Sequence, residues 1–118
     1  KGQDTFAPIG PYLVTKDEVP DPHNLRVQSW LNGDPRQDYN TSYMMYYLPA
    51  QIAWLSKFVT LEPGDVIATG TPEGTANGHK EGDWFLKEGD VLESEMEKVG
   101  CLRNKIVNEP AHEKSWKW

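Results

Sequence analysis

One cysteine, Cys101, stands among 118 residues. It has no partner within the chain, so an internal disulfide is excluded and a reducing, cytoplasmic setting is the expectation. No apolar run approaches the roughly 18 residues that a membrane span needs. No basic-then-apolar opening is present, so no secretory leader is expected. Basic side chains are also scarce: 12 against 18 acidic ones, for a formal net charge of −6. Five basic and six acidic residues lie in 1–59, seven and twelve in 60–118. Without a basic stripe, nucleic-acid backbones and anionic membrane surfaces are poor partners. Apolar residues make up only 37% and mean hydropathy is −0.69, so any core is small.

Aromatic residues are plentiful at 11%, with five Trp and five Tyr, which argues against intrinsic disorder. Ten Gly and nine Pro are spread evenly, which points to many short elements joined by turns. The length suits one domain or a piece of one. Lys1 opens the chain in place of Met, which reads as a processed chain or as part of something longer.

Prolines and glycine exclude helix over 6–15, and Tyr12–Thr15 suits a short strand. Thr15-Lys16-Asp17-Glu18 has the form of a capping box and predicts one helical turn. Leu25, Val27, Ser29 and Leu31 alternate with polar or large neighbours, which predicts a strand. Asn32-Gly33 predicts a hairpin turn, and Arg36–Asn40 the returning strand. Pro49 marks a helix start, and Ile52, Leu55, Phe58 and Val59 continue it toward Thr60. Glu62–Asp65 and Lys87–Asp90 read as turns, and Val66–Thr69 as a short buried strand. Residues 70–83 hold four glycines, one proline and no apolar pattern, so they form a long loop. Val91–Val99 is a strand with one wet face; Gly100 breaks it and Cys101–Val107 returns. From Asn108 the chain is a polar tail, leaving residues 1–107 as the domain. Many short strands, one main helix and long turns give a mainly β, or β-rich α+β, architecture.

Four segments in order carry a resemblance. They are Lys1-x-x-Asp4-Thr5-Phe6-x-Pro8-x-Gly10-Pro11, then Leu25-x-Val27 with Asn32-Gly33 and Arg36-Gln37-Asp38-x-Asn40-Thr41. Next come Leu61-Glu62-Pro63-Gly64-Asp65-Val66-Ile67-x-Thr69-Gly70-Thr71-Pro72-x-Gly74, and Phe85-Leu86-Lys87-x-Gly89-Asp90-Val91 with Gly100-x-Leu102-Arg103-Asn104. Together they resemble the second half of the C-terminal catalytic domain of the fumarylacetoacetate hydrolase superfamily, over residues 1 to about 107. The resemblance implies a mixed β-sandwich roll, a divalent metal (Mg²⁺, Mn²⁺ or Ca²⁺) and chemistry on small 2-oxo acids, as in the catabolism of aromatic compounds. It also implies a homodimer, or association with an N-terminal segment. In the family the metal sits on a Glu-x-Glu pair and a later Asp, all upstream of the segment matching Lys1. No metal ligand is therefore expected in this chain, and alone it is expected to be inactive.

On that resemblance Lys1 matches the lysine beside metal and substrate, where it can neutralise enolate or oxyanion charge. The plainer reading is a solvated terminal lysine. Thr5 matches a threonine close to the metal, able to orient a bound water; alone it reads as a strand threonine satisfying its own backbone. Gly70, Thr71 and Pro72 match the substrate-binding turn: glycine lets backbone approach a ligand, and the amide and hydroxyl of Thr71 suit a carboxylate. The plainer reading is an ordinary strand-to-loop turn.

Glu93, Glu95 and Glu97 share a strand face as metal ligands would, yet alternation with Leu92 and Met96 makes a solvated acidic face the better reading. His23, His79 and His112 have no metal spacing, and a solvated His79 is expected. Cys101 reads as a small packed hydrophobe. The run Tyr43–Tyr47 reads as core or subunit interface. Trp116 and Trp118 would be an interface anchor or disordered.

Three functions stand at this point: metal-dependent hydrolysis of an acylpyruvate-like or fumarylacetoacetate-like 2-oxo acid through an enolate; decarboxylation or isomerisation of a hydroxymuconate-type diacid; and a non-catalytic β-rich binding module that stacks a ligand on Trp30, Trp54 and Trp84.

Overall fold

The computed structural model describes residues 4–79, 82 and 84–109. Strand β1 (Arg26–Leu31) and strand β2 (Asp34–Asn40) form the expected hairpin. Asn32 and Gly33 have φ of 53° and 86°, so both turn residues are left-handed, as a twisted two-residue hairpin requires. Asn32 also ties this turn to the next strand. Its Nδ2 donates to Asp90 Oδ1 at 2.8 Å, and its Oδ1 accepts the Val91 amide at 2.8 Å.

The hairpin ladder contains one irregularity. Ser29 lies opposite Gln37, but Trp30 lies opposite Pro35, which leaves Arg36 as the extra residue of a β-bulge. Because β2 is an edge strand, Pro35 and its missing N–H are tolerated there.

Strand β3 (Val91–Met96) pairs antiparallel with β1, and strand β4 (Gly100–Lys105) with β3, giving the order β2-β1-β3-β4. Register places Val27, Ser29 and Leu31 beside Met96, Ser94 and Leu92 on one face. Gln28 and Trp30 sit with Glu95 and Glu93 on the other. The first face is the apolar one: Leu25, Leu31, Val19 and Ser29 are the buried residues among those described. The second face is wet. Arg26 bonds Asp38 there (Nε to Oδ1, 2.8 Å), and Glu93 pairs with Arg103 at 3.2 Å.

Helix α1 (Leu48–Leu55) begins one residue before Pro49 and stops earlier than apolar spacing suggests. Phe58 and Val59 close only a turn onto Leu55. Its first amide finds an acceptor far away in sequence: Leu48 N–H donates to His23 Nε2 at 3.1 Å, with the His23 and Tyr47 rings 4.5 Å apart. The Glu62–Asp65 and Lys87–Asp90 turns form as expected, each closed by a hydrogen bond from its last amide to its first carbonyl, both 3.1 Å. Thr15 accepts from the Glu18 and Val19 amides, a single turn at the expected place.

Several expectations fail. Tyr12–Thr15 and Val66–Thr69 are not strands, since neither meets a neighbouring strand among the described residues. Val66 is exposed rather than buried. Thr5 lies in a turn at φ 66°, not in a strand. β3 ends at Met96, because Lys98 (φ 63°) belongs to the turn into β4. Cys101 is exposed on β4, since its position alternates onto the wet face with Glu95. Tyr43, Met45 and Tyr46 are exposed, so they are not core within this chain.

Much surface is left open, including the side chains of Leu13, Met45, Trp54, Phe58 and Val66. Accessible area is 10,324 Å², where a compact monomer of this mass exposes about 6,500 Å². The radius of gyration is 17.1 Å, against about 13.5 Å for a compact domain of this length. Tyr46, Ala50, Trp54, Leu55, Ile67 and Ala68 line an open groove beside α1.

Candidate functional site

The loop that follows Ile67 is anchored on β2, and one side chain makes most of the bonds. Gln37 Nε2 lies 3.1 Å from Thr71 Oγ1, 3.1 Å from the Pro72 carbonyl and 3.0 Å from the Glu73 carbonyl. Its other end is fixed as well: Gln37 Oε1 accepts the Ser29 hydroxyl at 3.1 Å. Ser29 is 7% exposed and faces Gln37 directly in the ladder. A core position on β1 is thus linked through an edge strand to the turn that bears Thr71.

Gly74 shows how closely this loop lies on the strand. A β-carbon there would stand 2.3 Å from the Arg36 carbonyl oxygen and 2.8 Å from Gln37 Cγ, and φ is +101°. Only glycine meets both demands. Gly70 (φ +106°) has open space around it, so its backbone is accessible to a ligand. Thr71 is exposed and Pro72 half-buried.

Two further groups brace the loop. The Tyr39 hydroxyl donates to Glu73 Oε2 at 3.4 Å. Burial first, and then the Glu73 charge and hydrogen bond, hold its pKa above the usual phenol value. Arg36, the bulge residue, sets its guanidinium carbon 4.4 Å from the Trp84 ring centroid. Its Nε is buried without a hydrogen-bond partner among the described residues, so the aromatic face is the attraction that offsets its lost hydration. His79 is exposed, as expected of a loop histidine, and stacks on Trp84 with ring centroids 3.6 Å apart.

The residues expected at the site separate as follows. Gly70, Thr71 and Pro72 form one turn held by Gln37. No hydrogen bond joins Thr5 to that turn among the described residues. Lys1, His112, Trp116 and Trp118 lie outside the described residues. Sequence reasoning gave no role to Ser29, Gln37 or Gly74; the hairpin signal before Arg36-Gln37 was visible, but the bulge that aims them was not.

No group of three His, Cys, Asp or Glu able to hold a metal ion occurs among the described residues. Glu93 and Glu97 are engaged instead, by Arg103 and by the Arg26 amide. The groove lined by Trp54 includes neither Trp30 nor Trp84. No helix among the described residues is long and apolar enough to cross a membrane.

Comparison with known proteins matches this architecture. The chain is 51% identical over 104 residues to a mitochondrial oxaloacetate tautomerase of Xenopus laevis, covering 88% of this chain and 32% of that protein. A fumarylacetoacetate hydrolase from the psychrophilic Exiguobacterium antarcticum superposes with a TM-score of 0.84 at 38% identity, over 91% of this chain and 38% of the other. A maleylpyruvate hydrolase from Sphingobium sp. SYK-6, in complex with manganese(II) and pyruvate, gives 0.79 at 39% identity, over 88% and 36%. The chain thus spans about a third of the length of the relatives it matches. These relatives are hydrolases and a tautomerase, and a divalent metal is bound in one of them. The family model for Fumarylacetoacetate (FAA) hydrolase C-terminal matches residues 1–107, and with the shared β-rich fold this places the chain in the fumarylacetoacetate hydrolase family.

Proposed function

We propose that this chain supplies the carboxylate-holding part of an enzyme acting on small 2-oxo acids, with Gly70, Thr71 and Pro72 as the holding turn. The observation that carries it is the anchoring of that turn: Gln37 grips three consecutive residues of an exposed loop, and Gly74 seats it on β2. A turn held so firmly can present the Thr71 amide and hydroxyl in a fixed geometry, which binding of a planar carboxylate requires.

Cleavage of an acylpyruvate-like substrate leaves the enolate of a 2-oxo acid, and cleavage of a fumarylacetoacetate-like one leaves the enolate of a 3-oxo acid. Thr71 would hold the carboxylate of that fragment, and Lys1 would neutralise charge developing on the enolate oxygen. Isomerisation or decarboxylation of a hydroxymuconate-type diacid needs the same two services. The tautomerase name of the Xenopus laevis relative favours this second reading, since tautomerisation of a 2-oxo acid also turns on its enolate.

The reaction, in this reading, needs the portion that the relatives carry beyond this chain; this chain joined with that portion is called the assembled enzyme below. That portion would supply the ligands of a Mg²⁺, Mn²⁺ or Ca²⁺ ion, whose role is to polarise the bound 2-oxo acid. It would also cover the open apolar groove beside α1, or a second copy would, as in a homodimer. A cytoplasmic setting remains the proposal for this chain, with mitochondrial relatives as the comparison. Calorimetry of this chain alone with Mg²⁺ and Mn²⁺ should show no stoichiometric binding, whereas the assembled enzyme should bind the ion and turn over oxaloacetate or an acylpyruvate. A tight site on this chain alone, or an assembled enzyme inert toward both substrate types, contradicts the reading.

A further inference from the structure

We infer that Gln37 is a positioning residue: without touching the ligand, it turns the Thr71 hydroxyl into an outward hydrogen-bond donor, which selects an anionic oxygen. This rests on reading Gly70–Pro72 as the carboxylate-holding turn. The argument is one of donor and acceptor counting. The carbonyl oxygens of Pro72 and Glu73 can only accept, so the nitrogen end of the Gln37 amide must face the loop. The oxygen end then faces Ser29, whose hydroxyl proton is committed to it. Amide orientation, often ambiguous, is fixed here by the two loop carbonyls, and the Ser29 hydroxyl, which can donate or accept, adapts to it.

Nε2 carries two protons and no lone pair, so its three contacts share two protons, and the Thr71 oxygen at 3.1 Å can accept from it but never donate to it. The hydroxyl's own proton is consequently aimed away from Gln37, toward the exposed side of the turn. An outward O–H beside the open backbone of Gly70 attracts a carboxylate or enolate oxygen and offers less to a cation. The bulge at Arg36 makes this possible. Gln37 faces Ser29 only because one extra residue separates it from the Pro35–Trp30 pair. A one-residue slip would turn its side chain to the opposite face of the sheet.

The test uses the assembled enzyme with Mn²⁺, and pyruvate and neutral pyruvamide as probes, their affinities measured by calorimetry or competition. Gln37→Glu is nearly isosteric but presents an acceptor, which draws the Thr71 proton inward. Pyruvate affinity should fall about tenfold, with pyruvamide affected severalfold less, because an amide can donate to the exposed lone pairs. Thr71→Val should weaken pyruvate by a similar factor, and adding Gln37→Glu to it should change affinity less than about twofold. Where Gln37→Glu fails to fold, Ser29→Ala, which frees the oxygen end of the amide, should give a smaller loss of the same selectivity. Equal losses for pyruvate and pyruvamide, or additive losses in the double variant, overturn the positioning role. So does an unchanged Gln37→Glu affinity beside a weakened Thr71→Val. If Thr71→Val itself leaves pyruvate binding intact, the reading of the turn fails first and this inference falls with it.

Discussion

Gly74 and Arg36 are in contact so close that no side chain can come between them: a β-carbon on Gly74 would lie 2.3 Å from the Arg36 carbonyl oxygen. The neighbour is backbone of a bulged strand and cannot give way cheaply. Gly74→Ala adds this clash to a φ of +101°, which a non-glycine residue adopts only under strain of about 1–3 kcal/mol. The substitution should lift the 71–74 loop off β2. Faster amide exchange confined to residues 70–75, with turnover of the assembled enzyme down at least about tenfold, is the expected result. Wild-type exchange rates in that loop would contradict it.

The β1–β2 turn gives a second prediction. Asn32 sits at φ 53° and bonds both Asp90 Oδ1 and the Val91 amide. Asn32→Ala loses both bonds and is less comfortable in the left-handed region by about 1 kcal/mol. Unfolding of the assembled enzyme should shift to lower denaturant, while Gly33→Asn, which keeps a residue tolerant of positive φ, should cost less. Equal shifts for the two variants would contradict the account.

How much of this was legible in the chain follows from distance along it. The Asn32-Gly33 hairpin, the two Gly-Asp turns and the start of α1 near Pro49 depend on residues within four positions, and composition showed them. The Gln37 to Thr71 link spans 34 residues and the His23 to Leu48 link spans 25, so neither has a local signature. Val66–Thr69 has strand composition but no neighbouring strand among the described residues, and a strand exists only in a pair. The turn at Gly70–Pro72 is singled out only by its likeness to a family; that Gln37 holds it shows only in the folded structure.

Acid sensitivity is the third prediction. Asn32, and then the Lys87 amide, hold the Asp90 carboxyl below its ordinary pKa of 3.8. Arg26 does the same for Asp38 through its hydrogen bond. Folded values below the unfolded ones mean that the unfolded chain takes up protons first. The stabilisation is therefore complete above about pH 5 and is lost as pH falls through the depressed values. Unfolding midpoints should be level above that pH and drop below it, and Asp90→Asn should flatten the drop. A drop of unchanged steepness in Asp90→Asn would contradict the assignment.

His23 yields a fourth. Its Nε2 accepts the Leu48 amide, so the ring proton sits on Nδ1. Tyr47, the residue before α1, makes no side-chain capping bond, and His23 serves in its place. His23→Ala should destabilise by about 1 kcal/mol, the usual cost of a lost cap. Partial recovery in His23→Gln, which restores an acceptor, would separate capping from lost ring packing against Tyr47; no recovery at all would contradict the capping role.

The central claim is that Thr71 holds the substrate carboxylate, and the comparison of Thr71→Ala with Thr75→Ala in the assembled enzyme tests it most directly. Thr75 lies four residues along the same loop and outside the grip of Gln37. Thr71→Ala keeps the amide and removes a charge-assisted hydrogen bond worth about 1.5–3 kcal/mol. The account predicts a fall in kcat/KM of about tenfold to a hundredfold for Thr71→Ala, an unfolding midpoint little changed, and near-neutral behaviour of Thr75→Ala. Equal effects of the two substitutions, or a Thr71→Ala loss that tracks unfolding alone, would contradict it.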